Sequence, residues 1–161
     1  MSLIAGPPTV EVEELMRVLS FAAKILTYIS GHEDREHGCV LCVADNEAGR
    51  SLLTCTFGIL TPEECDVNIG IALESAKLLV EEPAHFAVFK NNVPTWRHSG
   101  GAIRGRGFIL ALGGFKVDHA EAALLLLELK LIGGSDNAPM WLASRAHANL
   151  YFPKLECGVV F

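Results

Sequence analysis

Four basic residues flank a glycine-rich stretch in the second half of the chain, "RHSGGAIRGRGF". Arg97, His98, Arg104 and Arg106 supply cationic or protonatable groups, and the glycines between them allow the backbone to approach a ligand closely. Guanidinium groups and exposed backbone N–H groups recognise carboxylates and phosphates. The stretch therefore favours a loop bordering a site for an anionic small molecule. The alternative is a solvated loop whose glycines serve tight turns.

Neither of two common phosphate-binding motifs fits this stretch. A P-loop needs four residues between its glycines and a lysine after the second one, whereas three residues separate Gly101 from Gly105 and an arginine follows. A dinucleotide fingerprint needs a third glycine and a following helix, but "GRGFIL" continues as an apolar, strand-like run. The sequence thus excludes both motifs for this stretch.

Histidines and cysteines give no metal or redox motif. The six histidines include no pair at the i, i+4 spacing of a helical metal clamp, although a haem needs only one axial ligand. His119–Glu121 matches the H-x-E of zinc deaminases, but the P-C-x-x-C that those enzymes need does not follow. Cys39 and Cys42 form a C-x-x-C on a predicted strand, which sends the two side chains to opposite faces and predicts reduced thiols.

Composition limits the class of protein. The 161 residues are 50% hydrophobic and 20% charged, with a net charge of −6. This size suits one domain, the apolar excess predicts a homo-oligomer, and the negative charge argues against a nucleic-acid partner. No apolar run reaches the roughly 20 residues of a membrane helix, and no secretory signal opens the chain. We therefore expect no membrane association and a cytoplasmic location.

The first half of the chain has clear element signals. Helical spacing of apolar residues predicts a helix over 9–31, with Thr9 as its cap and Gly31 at its end. "CVLCVAD" and "RSLLTCTFG" then predict two strands joined by the turn "DNEAG". The second helix is predicted to begin at Thr61, because Pro62 and Glu64 complete the signature of a capping box.

The second half alternates strand and helix signals. "HFAVFKN" and "GFILAL" predict strands, separated by the loop "VPTWRHSGG" and the glycine-rich stretch. A leucine-rich helix follows, with Asp118 as cap, Glu121 at the third position and Gly133 after its end. Leucines nearly encircle it, so it is either central or at a subunit interface. "APMWLASRAHANLYF" predicts a last helix and a tail. This order favours an α+β fold, with helices packed on an antiparallel sheet.

Over roughly residues 12–132 the chain resembles the GlcG/HbpS-like family, which includes the C-terminal domain of PduO-type proteins. The matching segments are "VADNEAGRSLLTCTFG", "NIGIALESAKLL", "SGGAIRGRGFILALGGF" and "DHAEAALLLL". Where the family's loop reads P-G-G-V-P-I, this chain has "HSGGAI", and "ALGG" stands where the family has G-V-S-G. The resemblance implies one domain over 1–161, with a core over 12–132 and a C-terminal extension over 133–161. It also implies a profilin-like antiparallel sheet of about five strands flanked by helices, and oligomers.

The resemblance further implies a ligand cavity, and some family members bind haem. With the basic residues, it gives the predicted ligand-binding set: Arg97, His98, Gly100, Gly101, Ala102, Ile103, Arg104, Arg106 and Asp118. We therefore expect an oligomeric protein that binds an anionic small molecule, with haem or another tetrapyrrole as the first named candidate. The alternatives are an accessory enzyme acting on small organic acids and a structural protein of unknown activity. No acid–base or nucleophile–base pair can be placed, so no catalytic residue is predicted.

Overall fold

The computed structural model describes residues 8–33, 37–82, 84–89 and 99–161. These residues form an α+β fold, as predicted: a five-stranded antiparallel sheet flanked by helices. The strands are β1 (Cys39–Asp45), β2 (Ser51–Phe57), β3 (Phe86–Phe89), β4 (Gly100–Arg104) and β5 (Phe108–Gly113). The helices of the described ranges are α1 (Pro8–His32), α2 (Pro62–Glu81), α3 (Val117–Leu131), α4 (Met140–Ala148) and α5 (Phe152–Gly158).

The strand order is β2-β1-β5-β4-β3, and every neighbouring pair is antiparallel. The sheet is open, in keeping with a profilin-like arrangement, and β2 and β3 form its edges. β5 lies at the centre and pairs with both β1 and β4. None of the helices in the described ranges is long and apolar enough to cross a membrane.

Helices cover both faces of the sheet. Because strand side chains alternate between faces, Val40 and Cys42 of β1 pack against α2, whereas Leu41 and Val43 pack in the cluster that holds α1 and α3. The leucines of α3 are buried on almost every side. Between the two alternatives that the sequence left for this helix, the structure places it in the centre of the core.

Two local predictions in the first half are confirmed. The Thr61 hydroxyl accepts a hydrogen bond from the Glu64 N–H (3.1 Å), and the Glu64 carboxylate accepts one from the Thr61 N–H (3.0 Å), so α2 begins with a complete capping box. In the β1–β2 turn, the Asp45 carboxylate accepts the N–H groups of Glu47, Ala48 and Arg50. These backbone bonds, led by the one from Ala48, lower the pKa of Asp45.

Both helix starts predicted from single polar residues are wrong. α1 begins at Pro8, so Thr9 lies in its first turn rather than at the cap. Proline suits the first helical position because its ring already fixes a helical φ. The N-cap residue of α3 is Lys116. Asp118 lies in the first turn, where its carboxylate interacts favourably with the helix dipole but does not cap the helix.

The sequence predicts a loop over the glycine-rich stretch. In the structure, part of this stretch, Gly100–Arg104, forms the strand β4 instead. Gly100 pairs with Gly113 across the β4–β5 ladder, and a Cβ on Gly100 would lie 2.0 Å from the Leu112 carbonyl oxygen. A Cβ on Gly113 would lie 2.3 Å from the Asn68 carbonyl oxygen of α2. These two glycines therefore allow backbone to approach backbone.

The predicted tail contains a further helix, α5, which the sequence did not indicate. Asn149 organises its start: the side-chain oxygen accepts the N–H groups of Tyr151 and Phe152, each at 2.9 Å, and the amide donates to the Asp118 carbonyl. Tyr151, Phe152 and Leu155 are buried in the α1–α3 cluster. The segment expected to be an extension thus completes the core on that side of the sheet.

Candidate functional site

A pocket of about 290 Å³ lies between the β4–β5 turn, the end of α3 and the start of α4. We call it the turn pocket. Arg104, Gly105 and Arg106 contribute from the turn, and Glu128 and Ile132 contribute from α3 and its C-terminal cap. The rest of its lining consists of His85, Asn137, Pro139 and Trp141. Cationic, acidic and apolar groups therefore meet in one cavity.

Glu128 is the buried charge of this pocket. It lies within the leucine-rich part of α3, with only 4% of its surface exposed. One carboxylate oxygen accepts the backbone N–H of Arg106 at 2.9 Å. Burial raises the pKa of the Glu128 carboxyl, and the bond from Arg106 opposes that rise only in part. A buried acid of this kind in a pocket has the character of a functional group.

Glu128 is not among the residues that the sequence predicts for a site, because the surrounding "LLLLELKLI" has the pattern of an apolar helix. A signal was nevertheless present. A glutamate is rarely fully buried in a protein unless its carboxyl is paired or hydrogen-bonded. Because Glu128 lies within a run of leucines, its carboxyl has to reach a hydrogen-bond donor or a cavity.

Gly105 makes room for Glu128. A Cβ at Gly105 would lie 2.2 Å from Oε1 of Glu128 and 3.0 Å from the Phe108 carbonyl oxygen. Asn46 fixes the same turn from the β1–β2 hairpin, because its amide donates to the carbonyls of Gly105 and Arg106, both at 3.3 Å. The glycine thus provides space for a carboxylate of the protein itself.

The two arginines of the turn have different roles. The Arg104 guanidinium donates to the carbonyls of Asn46 (2.7 Å), Leu79 and Ala84 (3.4 Å). These hydrogen bonds occupy the guanidinium and hold three backbone segments together. Arg106 is exposed, its backbone N–H bonds Glu128, and the residue borders the pocket. Arg106 is therefore the better placed of the two to meet a ligand.

A stacked pair of rings forms another part of the lining. His85 and Trp141 lie with their ring centroids 4.6 Å apart and their planes 5° from parallel. A second, smaller cavity of about 130 Å³ is lined also by Glu14, Phe108 and Leu131. Glu128 and Arg106 border both cavities.

The structure separates the residues that were predicted to form one site. Arg104 and Arg106 meet in the turn pocket, but Gly100–Ile103 border a gap of only about 10 Å³ against α3. A gap of that size holds at most about one water molecule. Asp118 lies ten residues before Glu128, about 15 Å away along the helix axis, and its carboxylate accepts the His119 N–H. Arg97 and His98 lie outside the described residues.

The thiols of the C-x-x-C are arranged as predicted. Cys39 packs in the cluster of α1 and α3, and Cys42 packs in the cluster of α2, so the two side chains lie on opposite faces of the sheet. Burial raises the pKa of the Cys42 thiol, which disfavours the reactive thiolate. Within the described ranges, no group of three or more His, Cys, Asp or Glu side chains could hold a metal ion.

Comparisons with protein-family models, with curated proteins and with solved structures find no match for the chain. The resemblance to the GlcG/HbpS-like family accordingly stays a prediction.

Proposed function

We propose that this chain is a small-molecule-binding protein and that its ligand, which carries an anionic group, occupies the turn pocket. The observation that carries the proposal is the meeting of the Arg106 side chain and the buried Glu128 carboxyl in one cavity of about 290 Å³. Small-molecule sites are typically concave and largely apolar, with a few polar groups that fix orientation. Ile132, Pro139 and Trp141 supply the apolar surface here.

The size of the pocket indicates the size of the ligand. Small-molecule pockets commonly have volumes of about 300–1,000 Å³, so 290 Å³ is at the lower end of the range. Haem, which some members of the resembling family bind, is larger than a cavity of this volume can enclose. The histidine of the lining, His85, is also stacked on Trp141. We therefore propose a compact organic ion in place of a tetrapyrrole.

Two measurements test the proposal. Native mass spectrometry of the purified protein should detect a bound compact molecule that is released on unfolding. Titration with 4-(aminomethyl)benzoate, followed by fluorescence and by heat unfolding, should show binding that stabilises the fold. Arg106→Ala should weaken it roughly tenfold, because a charge-assisted hydrogen bond is lost.

Arg50→Ala is the matched control, since Arg50 is an exposed arginine in the turn of the other hairpin. It should bind as the unaltered protein does. Absence of any co-purified molecule together with no binding of the probe would refute the proposal. Equal affinity in Arg106→Ala would refute the role of Arg106.

A second candidate is an enzyme acting on small organic acids, and Glu128 is the observation that favours it. Buried carboxyls with raised pKa values serve as general acids and bases, and Glu128 borders the cavity. Its carboxylate would remove a proton from a carbon next to a carbonyl and return one. In D2O, C3–C5 keto acids should then exchange that proton for deuterium, and Glu128→Gln should abolish the exchange. No exchange above background would exclude this candidate.

We propose further that two copies of the chain associate through the edges of β2. Among the described residues, this seven-residue strand pairs on one side only, and it contains no charged residue, which is a common means of blocking such edges. Thr54 is at its centre, so antiparallel pairing about a twofold axis there would join the two sheets. Light scattering should give a dimer or a multiple of it. Thr54→Lys should give monomers, while Glu74→Lys on exposed α2 surface should not. A monomer mass for the unaltered protein at micromolar concentration would refute the proposal.

A further inference from the structure

We infer that the ligand of the turn pocket presents an N–H donor nitrogen, as an amine, amidine or amino-heterocycle, to the Glu128 carboxylate. This inference rests on the proposed function and adds to it a second recognition group. The ligand would therefore carry a nitrogen for Glu128 and an anionic group for Arg106 on one compact apolar body.

The hydrogen bonding of Glu128 is the first support. A carboxylate has two oxygens and about four acceptor positions. Among the residues that the structure describes, it receives one hydrogen bond, from the backbone N–H of Arg106 to Oε2. Its other oxygen, Oε1, is not fully enclosed by protein and keeps contact with solvent, although the residue as a whole is only 4% exposed and borders a cavity. A donor on a bound molecule would replace that contact.

The charged groups around Glu128 leave this role open. Arg104 is bonded to three backbone carbonyls, and His85 is stacked on Trp141. Across the smaller cavity lies Glu14, which has the same sign of charge. The charge of Arg106 acts on the Glu128 carboxyl from a distance, but within the described ranges no Lys, Arg or His side chain forms an ion pair with it. A nitrogen on the ligand would therefore add the direct side-chain donor that the carboxyl lacks.

The surfaces between the charges indicate the body of the ligand. Ile132 and Pro139 offer apolar contacts, and Trp141 adds an aromatic ring. Arg106 lies at the exposed side of the same cavity, whereas Glu128 is buried. A short, flat molecule with its nitrogen directed inward and its anionic group directed outward matches this distribution of charge.

Three probes with the same ring test the inference: benzylamine, benzoate and 4-(aminomethyl)benzoate. Titration of the whole chain should show the tightest binding for 4-(aminomethyl)benzoate, because it alone meets both charges. Glu128→Gln keeps the shape of the side chain but removes its charge, and it should weaken binding of the two amines about tenfold or more. Benzoate should bind this variant at least as well as the unaltered protein. Glu14→Gln, which alters only the smaller cavity, is the control and should bind all three unchanged.

A titration against pH provides a test that does not depend on the variant folding. In the unaltered protein, affinity for benzylamine should fall as the pH is lowered through the pKa of Glu128, because the protonated carboxyl no longer attracts a cation. Affinity for benzenesulfonate, an anion that stays charged over this pH range, should not fall with it. His85, Arg104, Arg106 and Glu14 are the other ionisable groups at the two cavities, and benzenesulfonate reports their effect separately.

The outcomes distinguish the inference from the proposed function. Benzoate binding as tightly as 4-(aminomethyl)benzoate, with no effect of Glu128→Gln on the amines, would overturn the inference and leave an anion-binding pocket. Failure of all three probes to bind the unaltered protein would overturn both. Amine binding that depends on Glu128 but not on Glu14 supports both.

Discussion

The carboxylate of Glu128 accepts the backbone N–H of Arg106 at 2.9 Å, and this bond joins the middle of a buried helix to a turn 22 residues earlier in the chain. The bond fixes an ionisable carboxyl among the leucines of α3. Because Glu128 also borders two cavities, changes at this bond should affect both the stability of the fold and the binding of a ligand.

Glu128 should make the stability of the fold dependent on pH. Burial raises its folded-state pKa above the usual 4.5, so the folded state favours the protonated form. That contribution is fully present below the unfolded pKa and is lost as the pH rises through the folded pKa. In urea unfolding from pH 4 upward, the unaltered protein should lose free energy of unfolding relative to Glu128→Gln, with a slope of at most about 1.4 kcal/mol per pH unit. A difference independent of pH would contradict this.

Gly105→Ala should destabilise the fold by about 1–3 kcal/mol, the usual cost of overpacking. The new methyl group would meet Oε1 of Glu128 at 2.2 Å and displace the carboxylate from its bond with Arg106. Gly107→Ala is a close control, because a Cβ at Gly107 meets nothing within 4 Å. Urea denaturation measures both variants. Equal stability of the two would show that the turn tolerates a shift of Glu128.

The two arginines of the turn should behave differently on removal. Arg104→Ala leaves the carbonyls of Asn46, Leu79 and Ala84 without their donor and should cost about 2–3 kcal/mol of unfolding free energy. Arg106→Ala should change stability by less than about 0.5 kcal/mol, since its structural bond is made by the backbone. Similar stability for the two variants would show that the Arg104 side chain does not hold these backbone segments together.

Cys39 and Cys42 should not form a disulfide with each other under mild oxidation. Their side chains lie on opposite faces of β1, and a disulfide needs Cβ atoms about 3.5–4.5 Å apart. Peptide mapping by mass spectrometry should show no peptide linking the two, while the exposed Cys157 reacts with a thiol reagent. A linked peptide in the folded protein would mean that the strand has to open.

The features that sequence predicted are those whose causes are local. Thr61, Pro62 and Glu64 specify the start of α2 within four residues, and the alternation in "CVLCVAD" specifies the faces of β1. β4 was missed although one of its partners is local: the hydrogen bonds that make Gly100–Arg104 a strand come from β5, three residues further along the chain, and from β3. Its glycines have a low preference for strands. The pattern "GGAIRGRG" alone resembles a flexible loop.

Only part of the candidate site could likewise be predicted from the sequence. Arg104 and Arg106 both line the turn pocket, because they flank a single turn, and their role in binding a ligand stays a prediction. The hydrogen bonds of Arg104 to the carbonyls of Asn46 and Leu79 were not predictable, because sequence spacing does not show that the ends of β1 and α2 lie beside this arginine. The role of Glu128 depends on the position of the turn over α3, which only the packed sheet determines.

β5 lies between two pairs of strands that precede it in the chain, and this order has a consequence for folding during synthesis. β1 and β2 can pair as soon as they leave the ribosome, and β3 can pair with β4, but neither ladder touches the other. The edge of β1 stays open until Phe108–Gly113 is made, more than sixty residues later. Such distant pairings slow folding and expose strand edges meanwhile. A nascent chain of this protein is therefore most open to mispairing, and most in need of chaperone protection, until its fifth strand emerges.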